Sequence, residues 1–196
     1  DVTEGELLID GVNVKDYDIE ALRNKVGIVM QKAVLFKGTI RENMWMGKKG
    51  ATDEQIDEAL EISQSKEFVD SKQGRLDYVI EQGGKNLSGG QRQRLTIARA
   101  IVRKPDVLIL DDSASALDFA TDAALRKAIR GMNNSPTVFI VSQRAASLMY
   151  ADLIIVLDDG QVAGMGTHDE LLANCEVYKE IYESQFKKAD SEGGVA

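Results

Sequence analysis

The sequence holds a single cysteine, Cys175, and a single histidine, His168. One thiol cannot close an intramolecular disulfide and one imidazole cannot build a His-rich zinc centre, so a disulfide-stapled miniature and a zinc module are both excluded. A reducing compartment fits best. Long apolar runs are also missing. The stretch over residues 153–157 falls far short of the ~20 residues that a membrane helix needs, and no signal peptide opens the chain. Any membrane link is expected to come from another domain or subunit. Positive charge is in deficit, with 24 Lys and Arg against 32 Asp and Glu and a net charge of −8. That is the wrong sign for a polyphosphate partner, so no nucleic acid is expected. What is present is ordinary globular material: 196 residues, 43% hydrophobic and 29% charged, enough to bury a real core as one domain or most of a larger one. No internal repeat is visible. Asp1-Val2-Thr3-Glu4-Gly5 reads as the middle of a domain, so the chain is expected to be a piece of a longer one.

Two Asp-Gly pairs predict hairpins. Asp10-Gly11 separates apolar residues 6–9 from 12–14, and Asp159-Gly160 separates 153–157 from 161–163, with Gly accepting the positive φ of a tight turn. Three runs rich in β-branched residues, 26–30, 107–110 and 137–141, read as buried parallel strands, the last two separated by a helix-length segment. Helix starts are marked by a Ser or Thr followed three residues later by Glu or Gln, at Thr39/Glu42, Thr52/Gln55, Ser88/Gln91 and Thr167/Glu170. Each pair can satisfy two unpaired backbone N–H groups reciprocally. Apolar faces follow at Ile56, Ala59, Leu60 and Ile62, and at Leu95, Ala98 and Ile101. Residues 39–104 are thus expected to be mostly helical, and 187–196 to be a frayed tail.

Two segments carry chemistry. Leu87-Ser88-Gly89-Gly90-Gln91 puts a capping hydroxyl and two glycines at a helix start. Unpaired N–H groups and the positive end of the helix dipole suit an anion there, and glycines let it approach the backbone, although such a turn also serves as a plain cap. Val107-Leu108-Ile109-Leu110-Asp111-Asp112 is an apolar strand ending in two carboxylates. At the carboxyl end of a parallel strand one carboxylate can hold Mg²⁺ through water and the next can orient an attacking water; a strand followed by an acidic cap is the plainer alternative.

Together these residues resemble the ATPase domain of ABC transporters, with wording closest to bacterial exporters of the multidrug type. Gln31 is similar to the Q-loop glutamine, residues 87–91 to the signature sequence, 107–111 to the Walker B strand, Ser115-Ala116-Leu117-Asp118 to the D-loop, and Gly166-Thr167-His168-Asp169-Glu170-Leu171 to the C-terminal segment. The resemblance spans residues 5–186. It implies an α/β fold: a P-loop NTPase-like (RecA-like) parallel sheet core, an α-helical subdomain and part of an antiparallel β subdomain, with the first strands and phosphate loop missing. The expected divisions are 1–38 for the partial β subdomain and Q-loop region, 39–104 for the helical subdomain, 105–186 for the rest of the core and 187–196 for the tail. It further implies ATP and Mg²⁺ as cofactors. Gln31 and Asp111 would serve the metal, and Gln31, Ser88, Gly89, Gly90, Gln91, Asp111 and Asp118 the nucleotide cofactor. Asp112 and Gln143 would be catalytic. The implied partners are transmembrane domains and a second ATPase domain, at the cytoplasmic face of a bacterial plasma membrane.

Three departures qualify that resemblance. No Gly-x-x-x-x-Gly-Lys-[Ser/Thr] occurs. The phosphate loop supplies the N–H groups and Lys that hold the β and γ phosphates, so the chain alone is expected to bind ATP poorly and to be inactive. Asp112 stands where active family members carry Glu; one methylene fewer retracts the carboxylate by about 1.5 Å, a misplacement comparable to those that cost ~100-fold in rate. Gln143 stands at the switch histidine and cannot carry positive charge. Both substitutions fall on one composite site while the signature is intact. This asymmetry suggests one half of a heterodimer, with a degenerate site of its own and a signature that completes the partner's site. The competing classes are a nucleic-acid maintenance ATPase, which would need heptad insertions or a basic face, and a non-catalytic interaction module.

Among the other conspicuous residues, His168 is expected to sit exposed at the first helical position in a structural role. Cys175 is expected to be an ordinary near-core thiol. Arg92 and Arg94 are expected to cover packed surface with their stems, although either could approach phosphate. Trp45 suits a transmembrane contact and the core equally.

Overall fold

A computed structural model of the chain describes residues 2–113 and 115–192, with side chains through residue 186. The chain divides into two compact units, Asp1–Val141 and Ser142–Ala196. The first opens with strands β1 (Leu8–Ile9) and β2 (Val12–Asn13), paired antiparallel across Asp10 and Gly11, whose φ values are 52° and 78°. Left-handed backbone at both turn residues matches the twist of a hairpin, which is why Asp-Gly marks it. Asp18 caps α1 (Ile19–Lys25) by accepting from the N–H groups of Glu20 and Ala21. After β3 (Val26–Val29) come β4 (Gly38–Thr39), α2 (Ile40–Trp45), α3 (Asp53–Ile62), α4 (Lys66–Asp70), β5 (Val79–Ile80) and α5 (Gly89–Ile101). The short β4 and β5 pair antiparallel, the only departure from helix and turn in this stretch among the described residues.

Strand β6 (Val107–Asp111), α6 (Phe119–Arg130) and β7 (Thr137–Val141) complete the unit. β6 lies between β3 and β7 and is parallel to both, with Val29 opposite Leu110 and Asp111 opposite Val141. Parallel neighbours need a crossover of about a dozen residues or more, and α6 supplies it. The expected parallel sheet is therefore present.

Helix α5 is the pillar of this unit. Leu95, Ile97, Ala98 and Ile101 are buried and join residues of α2, α3 and the sheet in one core. Close approach to α5 fixes two glycines. A Cβ on Gly27 would lie 2.9 Å from Pro105 Cγ and 3.2 Å from the Ala100 carbonyl, and one on Gly47 would lie 2.0 Å from the carbonyl of Arg99. Strand β3 and the end of α2 thus press directly on the helix that begins at Ser88.

The second unit holds α7 (Ala145–Leu148), β8 (Ile154–Asp158), β9 (Gln161–Gly166), α8 (His168–Asn174) and α9 (Glu176–Glu192). β8 and β9 form the second hairpin, turning at Asp159 and Gly160 with φ of 45° and 75°. Its own core comprises Ile154, Val156, Leu171, Cys175 and Tyr178. The unit boundary therefore falls inside residues 105–186, because the chain leaves the parallel sheet after β7 and builds a separate hairpin-and-helix core.

One expectation here needs correction. His168 is half-buried, its Nδ1 2.8 Å from Tyr178 Oη and its ring 5.2 Å from that of Tyr182, because α9 packs beside α8. Helix α9 runs to Glu192, into the residues expected as a tail; residues 193–196 lie outside the described residues. Among the described residues no helix is long and apolar enough to cross a membrane.

Candidate functional site

All four predicted capping boxes form, and one of them builds the candidate site. At the start of α5 the Ser88 hydroxyl accepts from the Gln91 N–H at 3.2 Å, and the Ser88 N–H donates to Gln91 Oε1 at 3.1 Å. The box uses the N–H groups of residues 88 and 91, so those of Gly89 and Gly90, in the helix's first turn, are placed to meet an anion. Ser88 and Gly89 are exposed. Gly90 is half-buried, and a Cβ there would come within 3.3 Å of the Ala116 carbonyl. The loop before α6 therefore lies against one side of the signature turn and leaves its tip open. Arg92 does not reach outward: its Nη1 donates to the Leu87 carbonyl at 2.7 Å, bracing the approach to the turn.

Asp111 ends β6, half-buried, and Asp112 turns the chain out of the sheet. Asp112 has φ 42°; its N–H donates to the Val141 carbonyl at 2.8 Å, and its carbonyl accepts from the Ser115 hydroxyl at 2.8 Å. Asp and Asn enter this left-handed region more readily than Glu. The residue that weakens the expected water-orienting role is thus the one that suits the backbone here. Gln31, just beyond β3 and exposed, donates its Nε2 to Asp112 Oδ2 at 3.0 Å. The structure so brings together the two residues from which sensing and water orientation were expected, across 81 positions of sequence.

Asp118 caps α6 by accepting from the N–H of Thr121 at 2.8 Å and its hydroxyl at 2.9 Å. The Thr121 N–H above all, and then its hydroxyl, hold the Asp118 carboxyl below the usual carboxylate range. Gln143 belongs to the second unit, where it is exposed and its carbonyl accepts from Gln185 Nε2 at 2.6 Å. Trp45 donates Nε1 to the Ala51 carbonyl at 3.0 Å while 40% of the residue remains exposed. Arg94 donates to the Gln64 carbonyl and stacks on Phe68, as expected of a surface-covering arginine. Cys175 is buried, as expected.

Sequence reasoning missed the anchoring of residues 32–37, which follow Gln31. Arg99 Nη2 donates to the Val34 carbonyl at 3.0 Å, and its guanidinium lies 5.9 Å from the Phe36 ring. Asn43, buried, accepts from the Phe36 N–H at 3.0 Å and donates to the Phe36 carbonyl at 2.9 Å. Leu35 is buried between them. The available signal was weak: Arg92 and Arg99 are seven residues apart, hence on one helix face.

The donor set fits Mg²⁺ in chemistry. Gln31 Oε1 and the Asp111 carboxylate are hard oxygen donors, of the kind that this cation takes in ones and twos beside phosphate and water. Among the described residues no group of three or more His, Cys, Asp or Glu could hold a metal by itself.

Comparison with known proteins adds the family context. The sequence profile of the family described as ABC transporter matches residues 1–115. The chain is 45% identical over 188 residues to an uncharacterized ABC transporter ATP-binding protein of Bacillus subtilis, covering 96% of the chain and 32% of the relative. It is 38% identical over 185 residues to a putative multidrug export ATP-binding/permease protein of Staphylococcus aureus, covering 94% and 32%. The solved structure of a bacterial Atm1-family ABC exporter with ATP bound superposes with a TM-score of 0.88 at 34% identity, covering 94% of the chain and 33% of that protein. The chain thus spans about a third of the length of the relatives it matches.

Proposed function

The chain belongs to the ABC transporter family, and from that premise we propose that it is part of the ATP-binding domain of an exporter, working at the cytoplasmic face of a bacterial membrane beside transmembrane domains. Matches to a putative multidrug export ATP-binding/permease protein and to an ATP-bound exporter support this reading. The observation that carries it is the turn that opens α5, with Ser88 and Gly89 exposed at the helix start and a capping box that holds its geometry.

We infer a division of labour. Residues 88–91 bind the terminal phosphate of ATP held by a second ATPase domain, while this chain's Gln31, Asp111, Asp112 and Gln143 belong to a degenerate site of its own. Bound Mg²⁺ would offset charge developing on the transferred phosphoryl group. Gln31 and Asp111 would hold it, Asp112 would orient water less well than a Glu, and Gln143 would donate a hydrogen bond without carrying charge. Two such unequal halves make a heterodimer. These 196 residues contain no phosphate loop, so the chain alone is proposed to bind Mg-ATP weakly and to be inactive.

The test is to restore both residues in the full transporter, as Asp112→Glu with Gln143→His, and to measure hydrolysis at that site. A rise of about 100-fold is expected, the inverse of the cost of a misplaced catalytic group. Unchanged hydrolysis would refute the degenerate-site assignment.

A further inference from the structure

Strand β7 pairs with β6 on one side only, and among the described residues no strand lies against its other edge. Two bonds show which backbone groups that edge presents. The Thr137 N–H donates to the Asp106 carbonyl, and the Val141 carbonyl accepts from the Asp112 N–H, both at 2.8 Å. Residues 137, 139 and 141 thus turn their backbone groups toward β6, and the alternation of a strand turns those of Val138 and Ile140 outward. Two N–H and two C=O groups are left there, and no hydrogen bond among the described residues reaches them. Edge strands of soluble proteins are protected by charge, proline or a bulge. Thr137-Val138-Phe139-Ile140-Val141 has none of these and is rich in β-branched residues. Its side chains add apolar surface. Val138 and Ile140 pack on the core, whereas Phe139 and Val141 are each 56% exposed, and Phe139 continues a row through Ile109 to the exposed Ile28. Parallel sheets are ordinarily covered on both faces, so this edge and face together suit a further strand-bearing layer.

We propose that the outer edge of β7 is a pairing site for a second copy of this chain, joined antiparallel about a two-fold axis at Phe139. The strand is complementary to itself in that register. Val138 faces Ile140 of the partner subunit and Ile140 faces the partner's Val138, each pair exchanging two N–H···O bonds, so all four open groups of each copy are satisfied. Phe139 meets the partner's Phe139 at a non-hydrogen-bonded position, where opposed side chains come closest and an aromatic pair is favourable. A five-residue edge with one aromatic row buries less than the roughly 1,200 Å² at which standard interfaces begin, so a weak pair with a Kd of about 10–100 µM is expected. Each copy carries a net charge of −8, so repulsion opposes pairing and added salt should strengthen it. The contact involves no nucleotide and does not depend on the functional reading above.

The test is analytical ultracentrifugation of the 196-residue chain from about 1 to 300 µM, a range that brackets the expected Kd, beside residue-resolved amide exchange at both ends of that range. A monomer–dimer equilibrium is expected. The Val138 and Ile140 amides should exchange freely in the dilute sample and several-fold more slowly in the concentrated one, while those of Thr137, Phe139 and Val141, which face β6, stay slow in both. Phe139→Lys puts a charge at an exposed position and should weaken association about tenfold or more without lowering Tm, and Phe139→Tyr should keep it within about threefold. If Phe139→Lys does not fold, exchange in the unmodified chain decides alone. A chain that stays monomeric at the highest concentration overturns the proposal. So does a dimer that leaves both edge amides unprotected, which would stack by its sheet face, and so do assemblies that grow beyond the dimer. Protection of both amides in the dilute sample overturns it as well, because a segment of the same chain would then hold the edge. A dimer that salt weakens would be ionic and would also contradict it.

Discussion

The signature turn and the carboxyl end of β6 are held in different ways. Residues 88–91 stand on a helix whose apolar face, at Leu95, Ile97, Ala98 and Ile101, is buried in the largest core of the chain. Gln31 and Asp112 stand on a loop and a left-handed turn, joined by one exposed hydrogen bond. Geometry fixed by a core survives conditions and substitutions that geometry fixed by one side-chain contact does not. Asp112 and Gln143, the two residues proposed to depart from the family's catalytic pair, lie outside the braced helix, and the braced element carries residues 88–91.

Substitutions in the two regions should have unequal effects. The largest effect is expected from Gly89→Asp in the full transporter. The position is exposed with nothing but Arg92 Nη2 within 4.0 Å of a new Cβ, so the fold should tolerate it. A carboxylate at the anion-facing helix start should lower ATP turnover about 100-fold or more, as when an oxyanion donor is lost; melting temperature and turnover measured together separate misfolding from lost phosphate binding. Next, Leu95→Ala should cost about 3 kcal/mol of stability by opening a cavity under the signature helix. Gln31→Ala should cost only about 1 kcal/mol, since it removes one exposed hydrogen bond. Denaturant titration of both variants checks the contrast, and equal losses would mean that the two regions are braced alike. The smallest effect concerns the backbone. Asp112→Glu should lower stability by about 1 kcal/mol, because Glu suits φ 42° less well than Asp. That loss should accompany the gain in hydrolysis, so a variant that is both faster and more stable would contradict the strain argument.

Much of this was legible in the sequence because it is local. A capping box spans four residues, an Asp-Gly turn spans two, and a β-branched run declares a strand; all four boxes, both hairpins and all three parallel strands formed where those signals stood. The capped turn at residues 88–91 was legible for the same reason. Tertiary partnerships were not. The Gln31–Asp112 bond joins residues 81 apart and the Arg99–Val34 bond residues 65 apart, and neither leaves a local pattern. His168 was misplaced to the surface because its burial depends on Tyr178 and Tyr182 of the next helix. The unit boundary after Val141 follows from a second core that periodicity alone does not assign.

The most direct measurement is steady-state ATP turnover of the intact transporter carrying Asp112→Asn alone. Asn keeps an acceptor for Gln31 and the preference for left-handed backbone while removing the carboxylate charge, so any loss reports the chemistry of this site. If the chain's own site is degenerate and its signature serves the partner's site, turnover should stay within about twofold of the unmodified protein, far above the ~100-fold fall that removal of a working catalytic group brings. A fall of that size would contradict the account.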